Sequence, residues 1–202
     1  MLRRIVLLAL IWLLAAPAFA QPAAPAAPAS GTVRVSLQTS AGTIVVELDA
    51  AHAPVTTANF LRYVDQKRLD DGIFYRSMKI GDAGLIQGGV RDARKLLPPI
   101  AHEPTTQTGI KHVEGTISMA CGALNSATID FFILAGPFPS LDAQPDKPGD
   151  NQGFAAFGHV VEGMEIVRSI LVAPVSPTAG EGVMKGQMLE PPIRIITARR
   201  IR

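Results

Sequence analysis

Val33, Val35 and Leu37 alternate with Arg34, Ser36 and Gln38, and beyond a Ser40-Ala41-Gly42 turn Ile44, Val46 and Leu48 resume the same two-residue rhythm. Successive strand side chains point to opposite faces, so this pattern predicts two half-buried strands joined as a hairpin. Short apolar runs recur at residues 73–76, 85–87, 116–120 and 131–134, with Gly and Pro between them. Short strands cut by turn residues favour a β-sandwich or a closed barrel. A last strand is expected over residues 192–200, with Ile193 and Ile195 on one face. Pairing of the first and last strands would remove an exposed edge.

Helical spacing is confined to two stretches. Residues 54–67 open on Pro54, whose missing N–H is harmless in a first turn, and place Phe60, Leu61 and Val64 on one face. Residues 162–171 align Met164, Val167, Ile170 and Leu171, and Pro174 and Pro177 stop any extension. No repeat of solenoid period is present.

The N-terminus has a different character. Arg3 and Arg4 precede an apolar run over residues 5–14, and Ala18-Phe19-Ala20 has the small-x-small form of a cleavage site. Residues 1–20 are therefore expected to be a secretory signal peptide, with the mature protein exported to the periplasm. The apolar run is short against the roughly 20 residues of a bilayer span. No stable membrane insertion is expected after cleavage; the competing reading keeps residues 5–19 as an anchor. Residues 21–32 are Pro/Ala-rich and form an expected semi-rigid linker, and one domain is expected over residues 33–202.

Lys and Arg total 19 against 17 Asp and Glu, and two of the Arg lie in the leader, leaving 17 of each sign. Such a balance gives no electrostatic footprint for nucleic acid, so no nucleic-acid partner is expected. Cys121 is the sole Cys, which excludes an internal disulfide.

Several chemistries lack their residues. No G-x-S-x-G elbow surrounds Ser118, and the MACGA string around Cys121 matches no protease signature. His102-Glu103 is followed by Thr106 where a zincin needs His. Asp142, Asp146 and Asp150 are too widely spaced for a calcium loop, and Gly81, Gly84, Gly88 and Gly89 form no dinucleotide fingerprint. No metal or cofactor is indicated. One Arg among apolar and aromatic strand residues suits a reaction that breaks no covalent bond.

Six strings resemble the cyclophilin family, in the family's order. IFYRS (residues 73–77) resembles the strand carrying the family's catalytic Arg, and GLIQGG (84–89) its glutamine–glycine–glycine strand. GTISMA (115–120) and SATIDFFIL (126–134) resemble two central strands. PSLDAQPD (139–146) and FAAFGHVVEGMEIV (154–167) resemble the rim and the closing strand–helix unit, and APVTTANFLRYV (53–64) fits the early helix. The resemblance, to exported bacterial members, implies a mainly β fold: a closed eight-stranded antiparallel barrel capped by two α-helices, with its groove outside. It implies peptidyl-prolyl cis/trans isomerase activity on proline-containing, unfolded or partly folded polypeptides. A monomer is expected.

The site residues follow from the resemblance. Arg76 carries catalysis, Phe132 walls the proline ring, and Gln87 bonds the substrate backbone or orients Arg76. Phe131 beside Phe132 is assigned to the core, since adjacent strand residues face apart. Leu85, Ile86 and Asp130 contact substrate, Leu141 and Phe154 complete the groove, and Ala120 and Cys121 line an adjoining stretch. Phe74 shares the Arg76 face or lies at the groove edge. The chain departs from the family in a longer segment between Arg76 and Gln87, in Asp130 where Gln or Glu is usual, and in Ser140 near a common rim Trp. These departures leave a second reading open, a non-catalytic cyclophilin-like module that binds proline-containing segments.

Overall fold

The structure, a computed structural model, describes residues 31–148 and 151–202. The expected signal peptide and the linker up to residue 30 lie outside the described residues. Strands β1 (Thr32–Thr39) and β2 (Gly42–Asp49) pair antiparallel across Ser40 and Ala41, with Thr39 opposite Gly42. Helix α1 (Pro54–Asp65) leads to a second hairpin, β3 (Gly72–Ile80) and β4 (Ala83–Gly89). A single helical turn, α2 (Thr105–Thr108), precedes β5 (Thr116–Met119) and β6 (Phe131–Ala135). Then come β7 (Ala155–Glu162), α3 (Met164–Leu171), the two-residue β8 (Val175–Ser176) and the long β9 (Met188–Ile201).

The strands follow one another in the order β1-β2-β7-β5-β6-β4-β3-β9, and β9 returns to β1 with Leu37 opposite Ala198. Eight antiparallel strands thus close into a barrel, and β8 joins only β9. Closure leaves none of these eight barrel strands as an open edge. Helix α3 begins later than helical spacing alone suggests. Glu162 is still part of β7, paired with Val45 of β2, and Gly163 turns the chain at φ +88°. A Cβ on Gly163 would lie 2.3 Å from the Thr43 carbonyl oxygen, so the turn admits only glycine.

Side-chain alternation fills the interior. Phe60 from α1 meets Phe131 edge-on at 5.4 Å and Phe157 at 5.4 Å, and Phe74 meets Phe131 edge-on at 5.6 Å. Val35, Leu37, Ile44, Val46, Ile86, Ile117, Ile133 and Ile195 are all wholly buried around these rings. Each such side chain contributes on the order of 1.5–3 kcal/mol through burial. Helix α1 packs near the end of β2, where Thr57 Oγ1 donates to the Asp49 carbonyl. Helix α3 covers the opposite opening, where Ser77 Oγ donates to the Leu171 carbonyl.

The first turn of α1 has no side-chain cap of its own. Glu103 supplies one from the long β4–β5 connection. Its carboxylate accepts from the backbone N–H groups of Val55 at 3.0 Å and Thr56 at 2.7 Å, and from Thr56 Oγ1 at 2.6 Å. Negative charge at a helix N-terminus is favourable, and here it satisfies donors that the helix leaves orphaned. Glu103 is 2% exposed, so these bonds are shielded from water. Replacing Glu103 with Ala is expected to destabilise the domain by about 3 kcal/mol, measured by denaturant unfolding. Glu103→Gln, which keeps an acceptor but loses the charge, is expected to cost less.

Candidate active site

The strands that fill the barrel also present a second apolar cluster on its outer face. Along β6, Phe131, Ile133 and Ala135 join the interior, while Phe132 and Leu134 pack outside with Leu85 of β4. Met78, Ala120, Phe138, Leu141 and Phe154 extend this outer cluster. Phe154 stands edge-on to Phe132 at 5.5 Å, and its backbone N–H donates to the Leu141 carbonyl at 3.0 Å. The result is a groove of about 700 Å³, floored by Phe132 and Leu85 and walled by Leu141 and Phe154. Arg76 and Gln87 sit in the same groove, with Ala120, Cys121 and Asp130 further along it.

The position of Arg76 depends on an irregularity in β3. Phe74 faces Gly88 and Arg76 faces Gln87, so Tyr75 is an extra residue, a β-bulge. The bulge turns both Tyr75 and Arg76 to the groove and sends Ser77 back inside. Arg76 Nη1 donates to Gln87 Oε1 at 2.8 Å, and Arg76 Nε donates to Gln187 Oε1 at 2.8 Å. Each glutamine is itself oriented. Gln87 Nε2 donates to the Tyr75 hydroxyl oxygen at 2.7 Å, and Gln187 Nε2 donates to the Val183 carbonyl at 2.8 Å. Both amides therefore aim their carbonyl oxygens at the guanidinium. Among the described residues Arg76 forms no ion pair, so its positive charge is oriented without being neutralised. Burial draws its pKa below the ordinary arginine value, but a guanidinium remains a cation near neutral pH.

Beyond Gln87 lies a charged cluster. The Tyr75 hydroxyl donates to Asp130 Oδ2 at 2.9 Å, and Arg91 Nη2 donates to both carboxylate oxygens, at 2.6 and 2.5 Å. The Arg91 guanidinium lies 4.2 Å from the centroid of the Tyr75 ring. Burial, and next the Asp130 charge, hold the Tyr75 hydroxyl well above the usual tyrosine range. Burial alone would lower Arg91, yet its bond to Asp130 carries it above the ordinary value. The glycine pair after Gln87 makes room on both faces. A Cβ on Gly88 would sit 2.8 Å from Phe74 Cδ1 inside, and one on Gly89 would sit 2.0 Å from Asp130 Oδ1 outside.

Two expected groove residues belong instead to the core. Phe74 is wholly buried against Phe131, because the bulge breaks the two-residue rhythm that would have put it on the Arg76 face. Ile86 is wholly buried as well, since it lies between Leu85 and Gln87, which both face out. Asp130 does line the groove, but its oxygens are occupied by Tyr75 and Arg91. Sequence reading missed Tyr75, Met78, Arg91, Gln187 and the wall formed by Val183, Met184 and Met188. Gln187 lies 111 residues from Arg76 and is brought there by pairing of Arg76 with Met188 across β3 and β9. No cluster of three or more His, Cys, Asp or Glu able to hold a metal ion occurs among the described residues.

The floor of the groove is backed by a polar string. His112 stacks on Phe132 with ring centroids 6.0 Å apart. Its Nδ1 lies 2.8 Å from Asp142 Oδ1 and its Nε2 lies 3.0 Å from Ser118 Oγ. A carboxylate only accepts, so Nδ1 carries the proton and Nε2 accepts from the serine. Ser118 is wholly buried, so this serine, histidine and aspartate serve packing and not attack on a substrate. Burial lowers the His112 pKa below its ordinary 6.5, against the opposing pull of Asp142. Lys111 Nζ, 3.9 Å from Asp142 Oδ2, is a further charge facing the string, and it too disfavours protonation. The folded domain thus binds the proton less readily than the unfolded chain. The stabilising contribution is complete above pH 6.5 and is lost as pH falls below that toward the folded-state value. Denaturant midpoints measured from about pH 7.5 to about pH 5 are expected to fall less steeply in His112→Gln than in the parent chain.

Known proteins resemble this chain along most of its length. Residues 34–199 match the family model described as cyclophilin type peptidyl-prolyl cis-trans isomerase/CLD. Peptidyl-prolyl cis-trans isomerase A of Dickeya dadantii is 35% identical over 171 residues, covering 82% of this chain and 83% of the relative. Peptidyl-prolyl cis-trans isomerase cyp18 of Streptomyces antibioticus is 38% identical over 141 residues, covering 67% and 81%. A Cryptosporidium parvum cyclophilin type peptidyl-prolyl cis-trans isomerase, solved in the presence of the dipeptide Ala-Pro, shares the fold with a TM-score of 0.65. That likeness spans 84% of this chain and 99% of the solved one at 21% identity. With an oriented, unpaired arginine over an apolar groove and relatives that match it along most of their length, the chain belongs to the cyclophilin-type peptidyl-prolyl cis-trans isomerase family.

Proposed function

We propose that this chain is a peptidyl-prolyl cis/trans isomerase that accelerates the folding of exported proteins, with proline-containing stretches of unfolded or partly folded polypeptides as substrates. An X–Pro amide resists rotation by roughly 18–20 kcal/mol, because resonance gives its C–N bond double-bond character. Twisting the bond breaks that conjugation and leaves a lone pair on a pyramidal proline nitrogen. A fixed cation beside that nitrogen favours the twisted amide over the planar one, and only such differential stabilisation accelerates the step. Arg76 takes this role, Phe132, Leu85, Leu141 and Phe154 receive the proline ring, and no nucleophile or proton donor is needed.

The observation that carries the reading is the Arg76 guanidinium, held by Gln87 and Gln187 at 2.8 Å each with no ion pair among the described residues. An arginine committed to a surface salt bridge would lack a charge to offer. The leader-like composition of residues 1–20 supports export, and with it a periplasmic site of action.

A protease-coupled or NMR exchange assay on an Ala-Pro peptide tests the activity. The parent domain is expected to accelerate exchange, and Arg76→Ala to lose about 10²-fold in kcat/KM. Full activity in Arg76→Ala defeats the mechanism. Peptide binding without turnover in the parent chain would establish the module that only binds proline segments. Intact mass after export tests the destination: a mature N-terminus at Gln21 is expected, and a retained leader would mark an anchor.

A further inference from the structure

The polar side chains of the groove form one unbroken string: Gln187, Arg76, Gln87, Tyr75, Asp130, Arg91. Each link is directional. Arg91 has only donors to offer, and the Asp130 carboxylate only accepts. The Tyr75 hydroxyl, next to that carboxylate, must therefore donate its single proton to Asp130 Oδ2. Its oxygen is left as an acceptor facing Gln87, so the Gln87 amide presents Nε2 to Tyr75 and Oε1 to Arg76. With the amide reversed, an NH2 group would oppose the guanidinium, donor against donor, and the Tyr75 oxygen would lose its proton donor. The orientation of an amide touching the catalytic cation is thus fixed from both sides, by the guanidinium itself and by an anion two hydrogen bonds away.

From this geometry we infer that Tyr75, Asp130 and Arg91 are positioning residues, which act on the reaction by fixing Gln87 and through it the Arg76 guanidinium. The inference rests on the isomerase reading of the groove and gives Asp130 a role other than substrate contact. Three further features fit it. Tyr75 reaches the string only because of the bulge in β3, which places it and Arg76 on one face. Arg91 meets both oxygens of Asp130 and covers the Tyr75 ring, so it engages both partners at once. Gly89 leaves the space that the Asp130 carboxylate occupies, where a Cβ would come within 2.0 Å of Oδ1.

The test compares Tyr75→Phe and Asp130→Asn with the parent chain. Tyr75→Phe keeps the ring and removes the hydroxyl. Its kcat on an Ala-Pro peptide is expected to fall about fivefold, the worth of one neutral hydrogen bond, with KM nearly unchanged. Asp130→Asn is expected to fall less, because its amide retains an acceptor but no longer dictates direction. Both variants act through one amide, so adding Tyr75→Phe to Gln87→Ala is expected to cost nothing further. An independent readout is the Arg76 Nη1–H proton resonance in NMR, the hydrogen that Gln87 receives, expected to exchange faster with water in Tyr75→Phe than in the parent. Unchanged kcat together with an unchanged resonance in a folded Tyr75→Phe overturns the inference. So does full additivity with Gln87→Ala. If the parent chain shows no turnover, the isomerase reading fails, while the Arg76 resonance still reports whether Tyr75 and Asp130 orient the guanidinium.

Discussion

A guanidinium held by two carbonyl oxygens, with no carboxylate to cancel its charge, is the interaction on which the groove depends. Gln87 Oε1 and Gln187 Oε1 each lie 2.8 Å from Arg76, the first on β4 and the second immediately ahead of β9, the two strands that flank β3. Neutral acceptors restrain a cation without neutralising it. An aspartate at either position would secure the side chain more firmly and remove the field that a twisted amide would meet. The remainder of the groove serves this arrangement: an apolar floor keeps the dielectric low, and low dielectric strengthens whatever charge remains.

The barrel supplies the floor through its own packing. Phe131 and Phe132 are neighbours in β6, yet one anchors the interior ring cluster and the other forms the outer groove. The same holds for Ile86 and Leu85 in β4 and for Met119 and Ala120 at the end of β5. Closure of the sheet makes these outer faces rigid, since each strand is hydrogen-bonded on both sides. His112, wedged behind Phe132 and fixed by Asp142 and Ser118, stiffens the floor from the rear. A site placed on strands in this way holds its geometry better than one placed on loops.

Much of this was legible in the chain. The alternation of Val33, Val35 and Leu37 with polar neighbours announced the first strand, and the same rule separated Phe131 from Phe132. Applied consistently, it would also have assigned Ile86 to the interior, between Leu85 and Gln87. Phe74 is a different case: the rule fails at Tyr75 because one inserted residue resets the register, and nothing in the string IFYRS marks the insertion. Gln187 was beyond reach for another reason. Its neighbours MKGQM carry no periodic signal, and only the β3–β9 pairing brings it 111 residues back to Arg76. Glu103 sits in a string that lacks the second His of a zinc motif, and its work is to cap a helix, bonding Thr56 47 residues upstream. Long-range polar contacts of this kind follow from topology, and topology is not local to any motif.

The central claim concerns a difference between two states of the substrate, so it is tested most directly by measuring affinity for both. Binding of a planar Ala-Pro peptide and of a rigid twisted-amide mimic of it can be compared by calorimetry in the parent domain and in Arg76→Ala. The account predicts that loss of the guanidinium weakens the twisted mimic by about tenfold or more beyond any loss for the planar peptide. An equal loss for both ligands would show that Arg76 merely holds peptide, and would contradict the mechanism.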